Sequence, residues 1–165
     1  MQRRHLFSNF ALLTLAGCGF QLRGAPAFAF STVYVNAPES STLGNELKRN
    51  LASAGNLRLV NDAALLPTAQ AVLDITFEQR EKTVVGVNAS GQVREFQIRL
   101  RVRFRLRTPQ GKELLPETEL LQQRDISFNE SAVLAKEAEE GLMYRDMQSD
   151  IVQQLMRRLA AVKTL

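Results

Sequence analysis

Residues 96–107 alternate between apolar and polar side chains without interruption. The even positions are all apolar: Phe96, Ile98, Leu100, Val102, Phe104 and Leu106. The odd positions carry one glutamine and then five arginines: Gln97, Arg99, Arg101, Arg103, Arg105 and Arg107. Because successive side chains of a β-strand point to opposite faces, the pattern predicts a long strand with one face in a core. The five arginines, called the arginine row below, then line the other face. Adjacent arginines of the row are about 6.6–6.8 Å apart.

Guanidinium groups this close repel one another, so opposite charges must offset the arginine row. One interpretation is ion pairing with the neighbouring strands. On the predicted register, the residues flanking the row are Asp74, Thr76, Glu78 and Arg80 on one side and Glu117, Glu119 and Asp125 on the other. The other interpretation is a surface for a polyanion or for the lumen of another protein, because arginine forks suit phosphates and carboxylates. The two interpretations are compatible, and the sequence leaves both open.

The rest of the chain predicts the element order β-α-β-β-β-α. Strands are expected over residues 31–36, 57–60, 72–87, 93–108 and 113–128, and helices over residues 43–54 and 131–162. A loop is expected over residues 61–68, and turns close the two long hairpins near Gly91 and Gly111. This order predicts an α/β (α+β) fold, a small mixed β-sheet with two helices packed on one face. The apolar positions of residues 96–107 should lie beneath those helices, opposite Leu47, Leu51, Ile151 and Leu155.

The N-terminus is typical of a secretory signal peptide. Residues 1–5 are basic, residues 6–15 are apolar, and the small residues Ala16 and Gly17 follow. The apolar stretch is about ten residues long, too short for a bilayer core that takes about twenty. We therefore predict a signal peptide over residues 1–17, a tether over residues 18–30 and one domain over residues 31–165.

The scarcity of cysteine and histidine limits the chemistry. Each occurs once, at Cys18 and His5, and His5 belongs to the predicted signal peptide. A disulfide within the chain, a Cys/His zinc site and a histidine-dependent triad are therefore not expected. The net charge of +4 falls to +2 in the mature chain, which keeps 19 basic and 17 acidic residues. We expect no catalytic residue, no metal, no cofactor beyond a covalent lipid, and no nucleic-acid partner.

The single cysteine directly follows the predicted cleavage point. Leu15-Ala16-Gly17-Cys18 resembles the bacterial lipobox, in which the cysteine thiol is acylated and becomes the first residue of the mature chain. Two or three acyl chains suffice for stable anchoring. Gly19 stands where the family pattern places Asp for retention at the inner membrane. The resemblance therefore implies an outer-membrane lipoprotein that faces the periplasm.

A second resemblance spans nearly the whole mature chain. The run from Cys18 to Gly24, Cys-Gly-Phe-Gln-Leu-Arg-Gly, resembles the mature start of the LptE family of lipopolysaccharide-assembly lipoproteins. It continues with Ser-Gly-Gln at residues 90–92, Glu-Phe-Gln at 95–97, Leu-Ala-Lys at 134–136 and Gln-Leu-Met-Arg-Arg-Leu at 154–159. The resemblance implies an LptE-like fold and no enzymatic activity. Members plug the outer-membrane β-barrel LptD, help it to fold, and take part in moving lipopolysaccharide to the outer leaflet.

The resemblance also implies direct binding of lipopolysaccharide. Lys136 matches one basic ligand-contacting position of the family, whereas the other falls on Ala89. Arg94, just past the turn, is a second candidate, and Arg99, Arg101 and Arg103 of the arginine row are a third. The expected partners are an LptD-type barrel, lipopolysaccharide and, through the lipid on Cys18, outer-membrane phospholipid. The domain is then expected inside the barrel lumen.

The alternative is a periplasm-facing lipoprotein with another envelope-binding or enzymatic role. Glu117 and Glu119 form a carboxylate pair, but on a strand expected to lie beside arginines. The chain contains no Gly-x-Ser-x-Gly nucleophile elbow, and the mature chain keeps no histidine. These observations disfavour a hydrolase.

Overall fold

The computed structural model describes residues 26–165. The elements are β1 (Thr32–Asn36), α1 (Thr42–Ser53), β2 (Arg58–Val60), a 3-10 helix (Ala63–Thr68), β3 (Ala71–Val87), β4 (Val93–Arg107), β5 (Glu113–Ser127), a 3-10 turn (Glu130–Ala132) and α2 (Val133–Ala160). The strands form one sheet in the order β2-β1-β3-β4-β5. β1 runs parallel to β2 and β3, whereas β3, β4 and β5 are antiparallel neighbours. The predicted mixed α+β fold is therefore confirmed, and the predicted loop over residues 61–68 contains the 3-10 helix.

Local sequence signals explain where α1 begins and ends. The hydroxyl of Ser41 accepts a hydrogen bond of 2.8 Å from the backbone N–H of Gly44 and so caps the helix. Leu43, Leu47 and Leu51 recur at helical spacing and are fully buried. Gly55 follows the helix with φ +77°, a conformation that glycine adopts at little cost. The result is a short amphipathic helix with one apolar face on the sheet.

The core confirms the predicted register of β4. Ile98, Leu100, Val102, Phe104 and Leu106 have no exposed surface. They lie beneath the two helices, whose Leu47, Leu51, Ile151 and Leu155 are also fully buried. One continuous hydrophobic core joins both helices and the sheet within residues 26–165. Both helices and the sheet of this part of the chain therefore pack around the same core.

Phe96 departs from the prediction, because it is only partly buried at the margin of the core. Its ring packs edge-on against Phe128, with 5.3 Å between ring centroids. The reason is the length of the strands. β1 pairs only with residues Ala71 to Asp74 of β3, so the distal half of the sheet is a three-stranded ribbon. β1 does not extend over that ribbon, and α1 reaches it only through Ser41 and Thr42 at its start, which contact Glu78 and Arg80. Further toward the tip, the first half of α2 packs on it, as in the hydrogen bond from Tyr144 to the Glu81 carbonyl.

The face predicted for the middle of β3 is wrong. Ile75 pairs with Phe104, but Phe77 pairs with Arg103, so Thr76 is an extra residue in a β-bulge. The bulge reverses the alternation from this point to Val84, where the next register shift follows. Thr76, Glu78 and Arg80 were expected beside the arginine row, and the bulge instead turns Glu78 and Arg80 toward the helices.

Contacts with the helical layer confirm the new orientation of β3. The Ser41 hydroxyl donates a hydrogen bond of 2.6 Å to Glu78, and the Arg80 guanidinium lies 5.1 Å from the ring centroid of Tyr144. The side chains that share the open face with the arginine row are instead Phe77, Gln79 and Glu81.

The domain has two distinct ends. The base contains residues 26–31, which lead into β1, and also the start of β2, the turn after β4 and the end of α2. At the tip lie the turn over residues 88–92, the end of β5 and the start of α2. β3 runs from one end to the other in 17 residues, which corresponds to about 55 Å. Among the helices of residues 26–165, none is long and apolar enough to cross a membrane.

Candidate functional site

The arginine row is anchored near the base by one buried carboxylate. The Nε atoms of Arg105 and Arg107 donate to Oδ2 of Asp74 at 2.9 and 2.7 Å, and the Asn36 amide donates to Oδ1 at 2.9 Å. The Asp74 side chain is only 5% exposed. Its burial alone would raise the pKa of Asp74, but hydrogen bonds from Arg107, Asn36 and Arg105 hold that pKa below its usual value. Asp74 therefore stays ionised and neutralises this part of the row.

Ion pairing is looser in the middle of the arginine row. Glu119 lies between Arg101 and Arg103, with Nε to carboxylate distances of 3.8 and 3.4 Å. Glu81 and Glu117 approach the same two arginines at 4.0 and 3.9 Å. Within residues 26–165, neither Nε has a hydrogen-bond acceptor. These carboxylates balance the charge but leave hydrogen-bonding capacity unused.

Arg99 differs from the rest of the row. Its Nε donates to the Gln97 side-chain oxygen at 2.8 Å, and the Gln97 amide donates to Asp125 at 3.0 Å. In the described part of the chain, no carboxylate lies within 4.0 Å of Arg99. By register, seven carboxylates share the open face with the five arginines of the row: Asp74, Glu81, Glu95, Glu113, Glu117, Glu119 and Asp125. The cross-strand interpretation is therefore supported, and the open face is a charge-balanced polar surface.

A second candidate site is a cleft at the tip, between the sheet and the start of α2. Its floor is apolar and its rim is charged: Phe96, Ile126, Phe128 and Val133, with Lys82, Ser127, Lys136, Glu137 and Glu140. The Lys136 ammonium donates to Glu139 at 2.8 Å and to the Ser127 hydroxyl at 3.0 Å. Lys82 pairs with Glu140 at 2.6 Å. An apolar floor with ammonium groups at the rim suits an amphiphile that carries both hydrocarbon and phosphate.

The predicted site residues fall into two separate places. Lys136 and Arg94 both lie at the tip: Arg94 is exposed, and its carbonyl accepts a hydrogen bond of 2.7 Å from the Phe128 N–H, beside the cleft. Arg99, Arg101 and Arg103 lie on the open face, on the other side of the sheet. Cys18 lies outside the described residues. The fold therefore does not bring these arginines and Lys136 together in one binding site.

Sequence reasoning missed Lys82, whose ammonium lies 4.4 Å from the ring centroid of Phe96 in the cleft. The bulge at Thr76 is the cause, since without it Lys82 would lie on the opposite face. No group of three or more His, Cys, Asp or Glu that could hold a metal ion occurs in residues 26–165.

A charge-balanced open face and a small cleft with lysines at its rim are features of a binding protein. The family described as LptE: Lipopolysaccharide-assembly matches residues 30–159. The chain therefore belongs to the LptE family, which confirms the resemblance seen in the sequence. The family's members are lipopolysaccharide-assembly lipoproteins rather than enzymes, as predicted.

Individual relatives agree with the family. The LPS-assembly lipoprotein LptE of Pectobacterium atrosepticum is 27% identical over 168 residues, covering 97% of this chain and 88% of the relative. The protein of the same name from Yersinia pestis is 28% identical over 162 residues, covering 95% and 75%.

Solved structures share the fold. An uncharacterized lipoprotein B from Nitrosomonas europaea superimposes with a TM-score of 0.74 at 36% identity, covering 87% of this chain and 91% of that one. The rare lipoprotein B of Shewanella oneidensis gives a TM-score of 0.66 at 21% identity, covering 79% and 94%.

Proposed function

We propose that this chain is an outer-membrane lipoprotein, anchored through Cys18, that plugs an LptD-type β-barrel and helps it to assemble. In the same proposal it binds lipopolysaccharide at the tip during transport to the outer leaflet. Family membership supports a role in lipopolysaccharide assembly. The barrel, the ligand and the anchor are argued separately below.

The observation that carries the plug is the open face of the sheet. This face holds five arginines balanced by carboxylates, and such a polar surface suits an aqueous lumen. The lumen of a transmembrane β-barrel is polar, and large barrels are often plugged. Five strands at a spacing of about 4.8 Å, with a helical layer about 10 Å away, also require a far wider lumen than an eight-stranded barrel offers.

The tip cleft supports the binding of lipopolysaccharide. Lys136 is already held at the rim by Ser127 and Glu139, so its ammonium is positioned before a ligand arrives. A phosphate can replace the Glu139 carboxylate, since Glu139 is 41% exposed and its pair with Lys136 is weak in water. The rings of Phe96 and Phe128 offer an apolar surface beside that charge. The binding should therefore be charge-assisted and sensitive to salt.

The short distance along the chain from Cys18 to the domain supports an orientation in which the tip points away from the lipid anchor. Cys18 precedes Pro26 by eight residues, which span at most about 26–29 Å when fully extended. Phe30, which is buried, fixes the start of the domain at the base. Since the tip lies about 55 Å from the base, an anchor in the inner leaflet leaves the tip free to reach the opposite side of the membrane.

Co-purification from outer membranes tests the plug. The full-length chain, extracted in mild detergent, should elute with a large β-barrel at a constant ratio. A variant with Arg101→Glu and Arg103→Glu, which reverses the middle of the arginine row, should lower that ratio. Arg145→Glu with Arg124→Glu, on the helical side, is the control with the same charge change. Recovery of the chain alone, without any barrel, would contradict the proposal.

Titration with lipopolysaccharide tests the tip. Lys136→Asp and Arg94→Asp should each weaken binding by the purified protein, and together they should weaken it further. Arg145→Asp, an exposed arginine on the same helix as Lys136, is the matched control. Unchanged affinity in the double variant would leave the protein as a plug without a ligand site at the tip.

A further inference from the structure

A second basic surface lies at the base of the domain. Five exposed side chains from four separate parts of the chain belong to it: Arg58, Lys112, Arg157, Arg158 and Lys163. They are called the base patch below. None of them lies within 4.0 Å of a carboxylate side chain in the part of the chain that the structure describes. Neither the arginine row nor the tip cleft includes any of them.

The fold brings these residues to one end. The backbone N–H of Arg58 donates to the Ser31 carbonyl at 2.8 Å, which places Arg58 where the chain enters the domain. Lys112, in the turn between β4 and β5, donates to the Leu165 carbonyl at 3.0 Å. That hydrogen bond holds the residues that follow α2 against the same end. Arg157 and Arg158 form the last turn of α2.

The charge of the domain is therefore unevenly distributed. Residues 26–165 carry 18 basic and 17 acidic side chains. The base patch holds five of the basic ones. The carboxylates toward that end are Asp62, Asp74 and Glu113, and Asp74 is already paired with Arg105 and Arg107. Outside the base patch, residues 26–165 carry 13 basic and 17 acidic side chains, so the rest of the domain is negative. Arg157 and Arg158 also complement the C-terminal dipole of α2, but that effect does not explain Arg58, Lys112 or Lys163.

The base is also the end that the predicted lipid anchor holds at the membrane. At most about 26–29 Å of chain separates Cys18 from Pro26, so the base patch stays close to the leaflet that carries the acyl chains. Basic side chains next to a lipid anchor are attracted to anionic headgroups. Several acyl chains on Cys18, as proposed, would hold the protein at the membrane without further help. The base patch would therefore orient the domain rather than retain it.

We propose that the base patch is a binding site for anionic phospholipid headgroups, which holds the domain with its base on the membrane and its tip pointing away. The inference takes from the proposed function only the anchor on Cys18. It does not depend on the barrel or on lipopolysaccharide. The attraction must weaken at high ionic strength, because the patch is exposed to solvent.

Vesicle co-sedimentation tests the patch without the anchor. Residues 19–165, which keep every described residue, are mixed with vesicles of phosphatidylcholine or of phosphatidylcholine with about 30% phosphatidylglycerol. The protein should sediment with the anionic vesicles at about 0.05 M salt, and should be released at about 0.5 M. Arg157→Glu with Arg158→Glu should weaken this binding at least tenfold. Arg124→Glu with Arg145→Glu, which makes the same charge change elsewhere, should alter it less than twofold.

The results separate location from net charge. Equal losses in the two double variants, or equal binding to neutral and anionic vesicles, would overturn the proposal. Circular dichroism and urea unfolding check that each variant is folded. Lipopolysaccharide binding is measured in parallel. Loss of vesicle binding with lipopolysaccharide binding retained supports a phospholipid site, whereas parallel loss of both would overturn that assignment. If only the tip variants, Lys136→Asp and Arg94→Asp, fail to show their expected effect on lipopolysaccharide binding, the result contradicts the proposed function and not the base patch.

Discussion

Asp74→Asn is the substitution whose effect the structure defines most closely. The amide keeps the size of the carboxylate but removes its charge and presents an N–H₂ group to the guanidiniums. Both arginines lose a charge-assisted pair with this carboxylate. The Arg107 side chain is 23% exposed and the Arg105 side chain is 48% exposed. A hydrogen bond to a charged group contributes about 1.5–3 kcal/mol when buried, and the exposure of Arg105 reduces its share. We expect the free energy of unfolding near neutral pH to fall by about 2–4 kcal/mol.

Asp150→Asn is the matched control. Asp150 pairs with Arg124 at 3.2 Å, but the two side chains are 52% and 45% exposed. Solvent screens such a pair, so its loss should cost less than about 1 kcal/mol. Both variants are compared with the parent by urea unfolding. If the loss in Asp74→Asn is no larger than in Asp150→Asn, the buried carboxylate does not stabilise the base of the arginine row as argued.

The same comparison has a defined pH dependence. The folded protein holds the pKa of Asp74 below its usual value, so the folded state binds that proton less readily than the unfolded state. The stability that Asp74 contributes is therefore fully present above about pH 4 and is lost as the pH falls through the folded pKa. The stability difference between the parent and Asp74→Asn should shrink below about pH 4. A difference that stays constant down to about pH 2 would refute the assigned cause.

Three further predictions concern the core, the anchor and the tip. Phe104→Ala should lower the free energy of unfolding by about 3–5 kcal/mol in urea denaturation, because Phe104 has no exposed surface. Phe96→Ala, at the margin of the core, should cost clearly less, and equal costs would mean that the ribbon is enclosed. Cys18→Ala should abolish acylation in mass spectrometry, and acyl chains on the variant would place the modification elsewhere. Lys136→Asp should raise the permeability of the outer membrane to hydrophobic dyes without lowering thermal stability, whereas unchanged permeability would contradict its role.

The order of the elements could be predicted because each carries its own period. β4 shows strict alternation, and its apolar positions from Ile98 to Leu106 are all buried as expected. α1 shows leucines at helical spacing between a serine cap and a glycine. Such signals are local, so they do not depend on which strands become neighbours. Phe96 continues the alternation of β4, but how deeply it is buried depends on how far β1 and α1 extend over the sheet.

The bulge could not be predicted, because the middle of β3 is polar in both phases of the alternation. Thr76, Glu78 and Arg80 form one polar series, and Gln79 and Glu81 belong to the other. Phe77 is the exception, because it continues the apolar series of Leu73 and Ile75, and hydrophobicity therefore favours the regular alternation that the bulge breaks. Beyond Phe77, slipping by one residue exchanges polar side chains for polar side chains, and hydrophobicity does not choose between them.

The candidate sites were predictable only in part, for a related reason. Lys136 was found through the family motif and Arg94 through its place beside the turn. The base patch joins residues as far apart as Arg58 and Lys163, which only the fold brings to one end. Patterns within a single strand or helix cannot show such a juxtaposition.

The bulge leads to a last prediction, on deletions. In the structure Thr76 is exposed and has no partner residue on β4. Removing it leaves Ile75 facing the core and Phe77 facing outward, so the alternation of both flanking segments is preserved and no ladder pair is lost. Removing Arg101 from the regular part of β4 instead moves half of its apolar side chains to the open face. We expect the Thr76 deletion to unfold cooperatively in urea, and the Arg101 deletion to give no cooperative transition. If the Thr76 deletion also gives no cooperative transition, Thr76 is needed for the fold, and the extra residue does more than reverse the faces of β3.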